Sequence, residues 1–374
     1  MPSRGSRSAW RADIVDGTSL SIGIDIGGTK VAAGVVDEQG AIVERLQEPT
    51  PSHSPAAVED AIVRAVHRLS SRHRVVAVGI GAAGWVDNAQ SVVRFSPHLA
   101  WRSEPLKAKL AERIALPLLV DNDANAAAWA EYRFGAGRGS SVMVCITLGT
   151  GIGGGLVING QLFRGTYGMA GEWGHMTKVP DGHWCECGNR GCWEQYASGN
   201  ALVREARALA RTKSPMAHSL LEMVGSDPDL ITGPDVTAAA IAGEPNAIEL
   251  LADVGTWLGR GIADLAAALD PEVVVIGGGV SAAGDLLLVP AQRAFSRTLT
   301  GRGFREEARL ELAHFRNDAG LIGAADLARH AMTEPPNSAN SGFWPRRRKR
   351  KDRPTRLRGR RRRPRPVAGS GVAG

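Results

Sequence analysis

Two stretches of similar layout decide the fold: LSIGIDIGGTKVAAGVVDEQG, residues 20–40, and SVMVCITLGTGIGGGLVING, residues 141–160. Each begins with an apolar run typical of a buried strand and reaches a turn of glycine and threonine. Each then continues as a second apolar run and closes on a tight turn. The identity between the stretches is low, but the layout repeats element by element. This repetition predicts an internal duplication, with two similar halves and a cleft between them.

The segments around these stretches alternate between strand-like and helix-like patterns. Strands are predicted at 20–26, 31–36, 75–80, 116–120, 141–148, 153–158 and 273–279, and helices at about 55–70, 105–114, 246–269 and 319–331. Another helix begins within DNDANAAAWAEYRF, residues 121–134, with Asn122 or Asp123 as its N-cap and Gly135 as its end. We therefore expect an α/β protein with a small lobe at 19–137 and a large lobe at 138–318. The helix near 319–333 is expected to pack back on the small lobe.

The composition is ordinary for a globular chain of 374 residues, with 43% hydrophobic and 22% charged residues. No run approaches the roughly 20 apolar residues of a membrane-spanning helix. The N-terminus also lacks the apolar core of a secretory signal, so we expect a cytoplasmic protein with no membrane partner. Four cysteines are too few for a disulfide scaffold at this length.

The net charge of +7 has its source in the C-terminal tail. Residues 346–365 hold 14 Arg or Lys and one acid, and the remaining 31 basic and 37 acidic residues leave the rest of the chain at −6. Residues 1–18 and 334–374 lack hydrophobic periodicity and are predicted to be disordered. The Arg-rich tail thus predicts at most nonspecific binding of nucleic acid through counterion release.

The two glycine turns, Gly27-Gly28-Thr29 and Gly149-Thr150-Gly151, are candidate phosphate sites. Backbone N–H groups and a threonine hydroxyl can converge on an anion there, because glycine permits close approach. A single such turn can equally be a tight hairpin, whereas two at matching positions favour a phosphate held from both sides. Residues 149–154 also match a dinucleotide fingerprint, but a strand and the hairpin Asn159-Gly160 follow instead of the required helix.

Three of the four cysteines lie within eight residues: Cys185, Cys187 and Cys192. With one histidine they would complete a tetrahedral zinc shell of the structural type, and the alternative is a loop with free or disulfide-bonded cysteines. On the residues alone, both His175 and His183 are candidates for the fourth ligand. Cys145 lies in an apolar strand and is interpreted as an ordinary buried residue.

Asp123 is the candidate general base. It lies between a buried strand and an alanine-rich helix, so its carboxylate is held at the carboxyl edge of the sheet, where α/β folds bind ligands. At that position it can accept the proton of an alcohol in phosphoryl transfer. Two alternatives stay open: Asp123 is only a helix N-cap, or Asp121 has this role.

Three further polar residues flank the cysteine cluster: Glu172, His175 and Glu194. Carboxylates and an imidazole are good hydrogen-bond partners for vicinal hydroxyls, which favours a sugar substrate, while the alternative is a set of solvated loop charges. Asp25 lies just before the first glycine turn and is placed to bind or orient Mg²⁺ beside phosphates.

Over residues 20–330 the chain resembles the ROK family, which includes bacterial sugar kinases and sugar-responsive repressors. Five motifs carry the resemblance in order: DIGGTK (25–30), NDAN (122–125), TLGTGIGGG (147–155), AGEWGH (170–175) and CECGNRGCWE (185–194). The resemblance implies an actin/hexokinase-like (ribonuclease H-like) duplicated fold, with two lobes and a central substrate cleft. It also implies ATP-dependent phosphorylation of glucose at the 6-hydroxyl.

The resemblance implies a role for each matched residue, with Asp123 as the base that takes the proton of the 6-hydroxyl. The implied sugar-binding residues are Gly84, Asn122, Asp123, Glu172, His175 and Glu194. ATP and its Mg²⁺ would be held by Asp25, Gly27, Gly28, Thr29, Lys30, Thr147, Gly149, Thr150, Gly151, Gly277, Gly278 and Gly279. The implied structural Zn²⁺ ligands are His175, Cys185, Cys187 and Cys192, which selects His175 over His183.

Two local features bear on the exact activity. Gly153-Gly154-Gly155 favours ATP, because family members that use polyphosphate usually depart from it. His98 replaces an asparagine that many relatives carry in the wall of the sugar site.

The alternative functions are a kinase for another hexose (an N-acetylhexosamine, mannose or fructose) and a non-catalytic sugar-responsive regulator. Family repressors carry a helix-turn-helix domain, which we do not expect in the 24 residues before Asp25. Relatives imply a homodimer or homotetramer.

Overall fold

The computed structural model describes residues 19–333, apart from 213–214, 216–217 and 224. The segments 1–18 and 334–374, for which the sequence predicts disorder, lie outside the described residues. No helix within the described part of the chain combines the length and hydropathy needed to cross a membrane.

The first sheet is built around an antiparallel hairpin. Its strands are β1 (Leu20–Ile26), β2 (Lys30–Val36), β3 (Ile42–Pro49), β4 (Val75–Ala82) and β8 (Leu118–Asn122). They lie in the order β3-β2-β1-β4-β8. β2 is antiparallel to both β1 and β3, whereas β4 is parallel to β1 and to β8. The carboxyl ends of β1, β4 and β8 therefore meet at one edge of the sheet, which also carries the turn between β1 and β2.

The second sheet repeats this plan. Its strands are β9 (Val142–Leu148), β10 (Ile152–Ile158), β11 (Gln161–Leu162), β12 (Val273–Gly277) and β13 (Arg309–Leu312), in the order β11-β10-β9-β12-β13. β9 and β10 form an antiparallel hairpin, and β12 runs parallel to β9 on its other side. In both sheets a central strand thus pairs with its hairpin partner on one side and a parallel strand on the other. The predicted duplication and the α/β class are confirmed.

A small third sheet lies between β4 and the helix predicted at 105–114, in a stretch where no strand is predicted from the sequence. It contains β5 (Trp85–Val86), β6 (Val93–Phe95) and β7 (Arg102–Glu104), all antiparallel. The rings of Trp85 and Phe95 pack against each other with centroids 5.3 Å apart. These strands are too short to produce the alternating pattern on which strand prediction depends.

The described residues contain ten α-helices around the sheets. They are α1 (Pro55–Ser70), α2 (Leu106–Ala111), α3 (Asp123–Phe134), α4 (Glu194–Ala197), α5 (Gly199–Arg211), α6 (His218–Met223), α7 (Gly233–Ile241), α8 (Pro245–Leu269), α9 (Asp285–Thr298) and α10 (Ala319–Thr333). As predicted, α3 ends at Gly135 and α8 ends before Pro271, where Asp270 is left-handed with φ 47°. The predicted strand 273–279 stops at Gly277 because Gly278 has φ +84° and a 3-10 turn follows.

Helix α10 packs closely on both the first sheet and α3. A methyl group at Gly79 of β4 would lie 1.7 Å from the carbonyl oxygen of Ala324. On α10 itself, a methyl group at Gly323 would lie 1.7 Å from the carbonyl oxygen of Ala126 in α3. Only glycine permits such backbone contact. The position of α3, and of the residues at its N-terminus, is therefore tied to the first sheet.

Candidate active site

Asp123 is the first residue of α3 and follows β8 directly at the carboxyl edge of the first sheet. The N-cap is Asn122, whose Oδ1 accepts a hydrogen bond of 2.9 Å from the backbone N–H of Asn125. The Asn122 Nδ2 group donates to the carbonyl of Gly84 at 3.0 Å and to Oδ1 of Asp123 at 3.1 Å. Of the two predicted caps, Asn122 has the role, and the Asp123 carboxylate is not needed for it.

Asp121, the alternative base, has very different surroundings. Its side chain is only 2% exposed. Its carboxylate accepts hydrogen bonds from the side chains of Gln90 at 2.9 Å, Asn125 at 3.1 Å and Arg164 at 2.6 Å. These donors all belong to the protein, so the buried Asp121 carboxylate is engaged within the structure and is not open to a substrate hydroxyl. Asp123 therefore stays the candidate base.

The electrostatics of Asp123 suit a proton acceptor. Burial raises the pKa of its carboxyl group from 3.8 to about 7, and the negative charges of Asp25 and Glu172 act in the same direction. Burial likewise raises the pKa of Asp25 to about 6, against the opposing charges of Lys30 and Arg45. A general base works best when its pKa is near the working pH, so the pKa of Asp123 fits the role that the sequence predicts for it.

The first glycine turn joins β1 to β2 at this same edge of the sheet. Thr50 secures it: its hydroxyl donates to the carbonyl of Gly27 at 2.8 Å, and its N–H donates to the carbonyl of Thr29 at 3.0 Å. A methyl group at Gly28 would lie 2.9 Å from Cβ of His98. The structure thus places His98, expected in the wall of the sugar site, against the first glycine turn.

The second glycine turn lies between β9 and β10 and contacts two other segments. The carbonyls of Gly149 and Thr150 accept hydrogen bonds of 2.8 and 3.3 Å from the N–H groups of Gly199 and Asn200, the first residues of α5. A methyl group at Gly278 would lie 2.4 Å from the carbonyl oxygen of Leu148. The structure therefore brings Gly149–Gly151 and Gly277–Gly279 together, as expected of parts of one nucleotide site.

The three glycines of β10 allow close packing on both faces of the strand. A methyl group at Gly155 would lie 2.6 Å from Cβ of Ala128 in α3. On the opposite face, a methyl group at Gly154 would lie 2.1 Å from Cδ1 of Trp173. Residues 153–155 thus hold α3, with Asp123 at its start, on one side and the segment with Glu172 on the other.

We expect Gly154→Ala to displace Trp173 and the segment next to it. If Glu172 binds the sugar, as the sequence predicts, the KM for that sugar should rise by about tenfold, and overpacking should lower the free energy of unfolding by about 1–3 kcal/mol. Steady-state kinetics and thermal unfolding test this, with Gly233→Ala as the control. A methyl group at Gly233 would meet only Val203, at 3.8 Å. An unchanged KM in Gly154→Ala would contradict the prediction.

Glu172, His175 and Glu194 lie side by side. The imidazole of His175 is between the two carboxylates, with Nε2 at 3.8 Å from Oε2 of Glu172 and Nδ1 at 3.5 Å from Oε1 of Glu194. The other oxygen of Glu194 accepts a hydrogen bond of 3.3 Å from the N–H of Ile152, next to the second glycine turn. Burial raises the pKa of Glu172, and the charge of His175 opposes the shift. The three predicted sugar ligands thus form one polar cluster.

The four predicted metal ligands also meet. One ligand atom each from His175, Cys185, Cys187 and Cys192 lies within 4.8 Å of the others. The sulfurs of Cys187 and Cys192 are 3.6 Å apart, as are Nδ1 of His175 and Sγ of Cys185. In a tetrahedral zinc site, two bound sulfurs are separated by about 3.8 Å. The set therefore fits a structural zinc ion, which would hold the sulfurs as thiolates.

The structure separates the two candidate histidines. His183 turns to Tyr196, with ring centroids 5.4 Å apart, and the Tyr196 hydroxyl accepts a hydrogen bond of 3.0 Å from the His183 backbone N–H. His175 instead presents Nδ1 to the cysteines and Nε2 to Glu172. One imidazole can thus serve the metal and the sugar cluster together.

Two residues at this site belong to none of the sequence motifs. The Trp85 side chain hydrogen-bonds Glu172. Arg164 binds Asp121 through Nε and Nη2, at 2.8 and 2.6 Å. The only sequence signal for them is position, since Trp85 follows Gly84 and Arg164 follows the second hairpin. Such a signal is too weak to select either residue without the fold.

Comparisons with known proteins identify the family of this chain. A sequence model described as the ROK family matches residues 21–331. A glucokinase from Streptomyces coelicolor is 50% identical over 310 residues, which are 83% of this chain and 98% of that protein. An N-acetylmannosamine kinase from Citrobacter koseri is 38% identical over 312 residues, which are 82% of this chain and 98% of that protein.

A solved structure is similar over the same part of the chain. It is the crystal structure of a ROK family glucokinase from Streptomyces griseus in complex with glucose and AMPPNP. It is 50% identical, has a TM-score of 0.78, and is matched over 83% of this chain and 100% of that chain. The family match spans nearly all of the described residues, and the chain belongs to the ROK family.

Proposed function

We propose that this protein transfers the γ-phosphoryl group of ATP to the 6-hydroxyl of glucose, giving glucose 6-phosphate and ADP. The observation that carries the proposal is the 50% identity to a relative whose crystal structure holds glucose and AMPPNP. Further support comes from Asp123, a carboxyl group whose pKa is raised to about 7, at the edge of the sheet that carries the first glycine turn.

Asp123 acts as the general base in this proposal. Its Oδ1 accepts hydrogen bonds from Asn122 Nδ2 and, at 2.9 Å, from the N–H of Ala124. We therefore assign proton acceptance to Oδ2. The 6-hydroxyl loses its proton to Asp123 while its oxygen bonds to the γ-phosphorus, and the bond between that phosphorus and the bridging oxygen breaks to release ADP.

The sugar hydroxyls are assigned to Glu172, His175 and Glu194, which form one cluster, and to Asn122 beside the base. Both hydrogens of the Asn122 amide are engaged, by Gly84 and Asp123. Among the described residues, the amide oxygen accepts one hydrogen bond, from Asn125, which leaves a second lone pair for a sugar hydroxyl. Asn122 accordingly acts as an acceptor toward the sugar. Gly84, whose carbonyl accepts from the Asn122 amide nitrogen, is assigned to the same part of the sugar site.

The triphosphate is assigned to the two glycine turns and to the residues next to them. On the first sheet these are Asp25, Gly27, Gly28, Thr29 and Lys30, and on the second they are Thr147, Gly149, Thr150, Gly151, Gly277, Gly278 and Gly279. Asp25 fits Mg²⁺, because a buried carboxylate with a raised pKa is stabilised by a cation. Bound there, Mg²⁺ would neutralise phosphate charge.

The raised pKa of Asp123 predicts an acidic limb in the pH profile. A base must be ionised to accept a proton, and a pKa of about 7 places its protonated form below neutral pH. We expect kcat/KM for glucose to fall by about tenfold per pH unit below pH 7. A rate profile from pH 5 to 8.5 at saturating ATP measures this. A rate that stays constant down to pH 5 would exclude the assignment.

The proposed substrate is tested by ADP release on glucose, mannose, fructose, N-acetylglucosamine and N-acetylmannosamine. The highest kcat/KM is expected on glucose. N-acetylmannosamine is the second candidate, because a kinase of that sugar is 38% identical to this chain. An equal or higher kcat/KM on either acetamido sugar would overturn the choice of glucose. Replacing ATP by polyphosphate in the same assay tests the phosphoryl donor.

Assembly as a homodimer or homotetramer and a cytoplasmic location stay predictions. Light scattering on the purified full chain measures the first, and cell fractionation measures the second.

A further inference from the structure

Arg164 links the two sheets at the active site. It lies just after β11, the edge strand of the second sheet, and its guanidinium binds Asp121 near the end of β8 in the first sheet. The Arg164 Nε and Nη2 groups donate to Oδ2 of Asp121 at 2.8 and 2.6 Å. The two side chains are 19% and 2% exposed. Water therefore screens this ion pair far less than a surface pair.

The other oxygen of Asp121 holds the start of α3. Its Oδ1 accepts hydrogen bonds from the backbone N–H of Asn122 at 2.9 Å and from the side chain of Asn125 at 3.1 Å. Asp123 lies between these two residues. The Asp121 carboxylate thus binds Arg164 and Gln90 with one oxygen and the first turn of α3 with the other.

The backbone of Arg164 holds the opposite side of the site. Its carbonyl accepts a hydrogen bond of 3.1 Å from the N–H of Ala170, which closes the loop 165–169. Two residues later, Glu172 begins the polar cluster. A methyl group at Gly168 in this loop would lie 2.4 Å from the carbonyl oxygen of Val86, so the loop is also packed against the third sheet.

We propose that Arg164 is a positioning residue for phosphoryl transfer, which fixes Asp123, through Asp121, relative to the segment that carries Glu172. The inference rests on the proposed function, since it requires Asp123 to be the base and Glu172 to hold the sugar. Misplacing a reacting group by about 1 Å costs about 10²-fold in rate. Arg164 contacts one side of the site through its guanidinium and the other side through its backbone carbonyl, so it is suited to prevent such a shift.

Arg164→Lys is the main test, because lysine keeps the positive charge near Asp121 but cannot present two N–H groups in a planar fork. We expect kcat to fall by about 10²-fold. The KM for ATP should change by less than about twofold. The side-chain hydrogen bonds of this pair go to Gln90, Asn122, Asn125 and Leu162, none of which belongs to a glycine turn. Steady-state kinetics and thermal unfolding are measured together on the full chain.

Arg329→Lys is the matched control. Arg329 also pairs with a buried aspartate, Asp326, which is 2% exposed, and both lie on α10. We expect this variant to keep kcat within about twofold of the original protein, whatever it loses in stability. An unchanged kcat in Arg164→Lys, or equal losses of kcat in the two variants, would overturn the proposal.

A neutral double variant, Asp121→Asn with Arg164→Met, covers the case in which Arg164→Lys does not fold. It removes the link without leaving a buried charge unpaired, a replacement that proteins often tolerate. The same loss of kcat is expected. A folded double variant with full kcat would count against the proposal as strongly as the lysine variant.

A combination with Asp123→Asn separates the two proposals. If Arg164 acts through Asp123, adding Arg164→Lys to Asp123→Asn should cost less than about a further twofold, because the base it positions is gone. If the kcat losses of the two single variants multiply in the combination, the proposed role of Arg164 is overturned, while the assignment of Asp123 as the base is unaffected. Turnover retained in Asp123→Asn by itself would instead remove the base assignment.

Discussion

Asp123→Asn is expected to lower kcat by about 10³-fold. The amide has nearly the same shape as the carboxylate but cannot accept the proton of the 6-hydroxyl. Glucose should still bind, because Glu172, His175 and Glu194 are unchanged and lie within one cluster. A coupled assay of ADP release measures kcat, and calorimetric titration measures glucose affinity. A loss of kcat with retained binding is the signature of a group that acts in the transition state.

Asp60→Asn is the control for this substitution. Asp60 lies on α1, is half-exposed, and pairs with Arg113 at 2.8 Å. The same chemical change there should leave kcat within about twofold, since surface ion pairs contribute little. If Asp123→Asn turns over glucose as fast as this control, Asp123 is not the base.

Cys192→Ser is expected to remove zinc and weaken sugar binding together. Cys192 is completely buried, and its sulfur is 3.6 Å from that of Cys187. The cluster adjoins the sugar residues, because His175 belongs to both sets and Sγ of Cys185 lies 2.9 Å from Oε1 of Glu194. We expect about one zinc ion per chain in the original protein and most of it lost in the variant. The KM for glucose should rise by about tenfold, and the thermal unfolding midpoint should fall.

Cys145→Ala tests whether the effect is specific to the cluster. Cys145 lies in β9 and is as buried as Cys192, and burial raises the pKa of its thiol, so it stays protonated. This variant should keep its zinc, as measured by elemental analysis, and its KM for glucose. A zinc-free chain with unchanged glucose kinetics would refute the metal site.

The elements that sequence predicted well are those with strong local patterns. β1, β9 and α8 have continuous apolar runs or helical periodicity, and their bounds agree with prediction to within a few residues. The third sheet and β13 are not predicted from the sequence, because their strands are short and partly polar. Their positions depend on contacts such as that between Trp85 and Phe95, which no local pattern encodes.

At the site, the sequence predicts which types of residue take part, but it does not decide between two residues of the same type that lie close together in the chain. Asp121 and Asp123 are two residues apart in one motif, and the difference between them comes from Arg164, which is distant in the chain. The sequence alone likewise does not choose between His175 and His183. The structure does, because the ring of His183 packs against Tyr196. Such choices depend on tertiary contacts, so a motif can place a function in a segment without assigning it to an atom.

Helix α10 has a consequence for the order in which the molecule is built on the ribosome. Its Leu321 and Ile322 pack with Ala32 and Val36 of the first sheet, yet they are translated after every strand of both sheets. Until α10 is translated, the face of β1 and β4 that receives this helix, where Gly23 and Gly79 meet its backbone, lacks that partner. Nascent chains halted before Ala319 would therefore expose this unpartnered face of the first sheet, which also carries Asp123 at its edge, to chaperones.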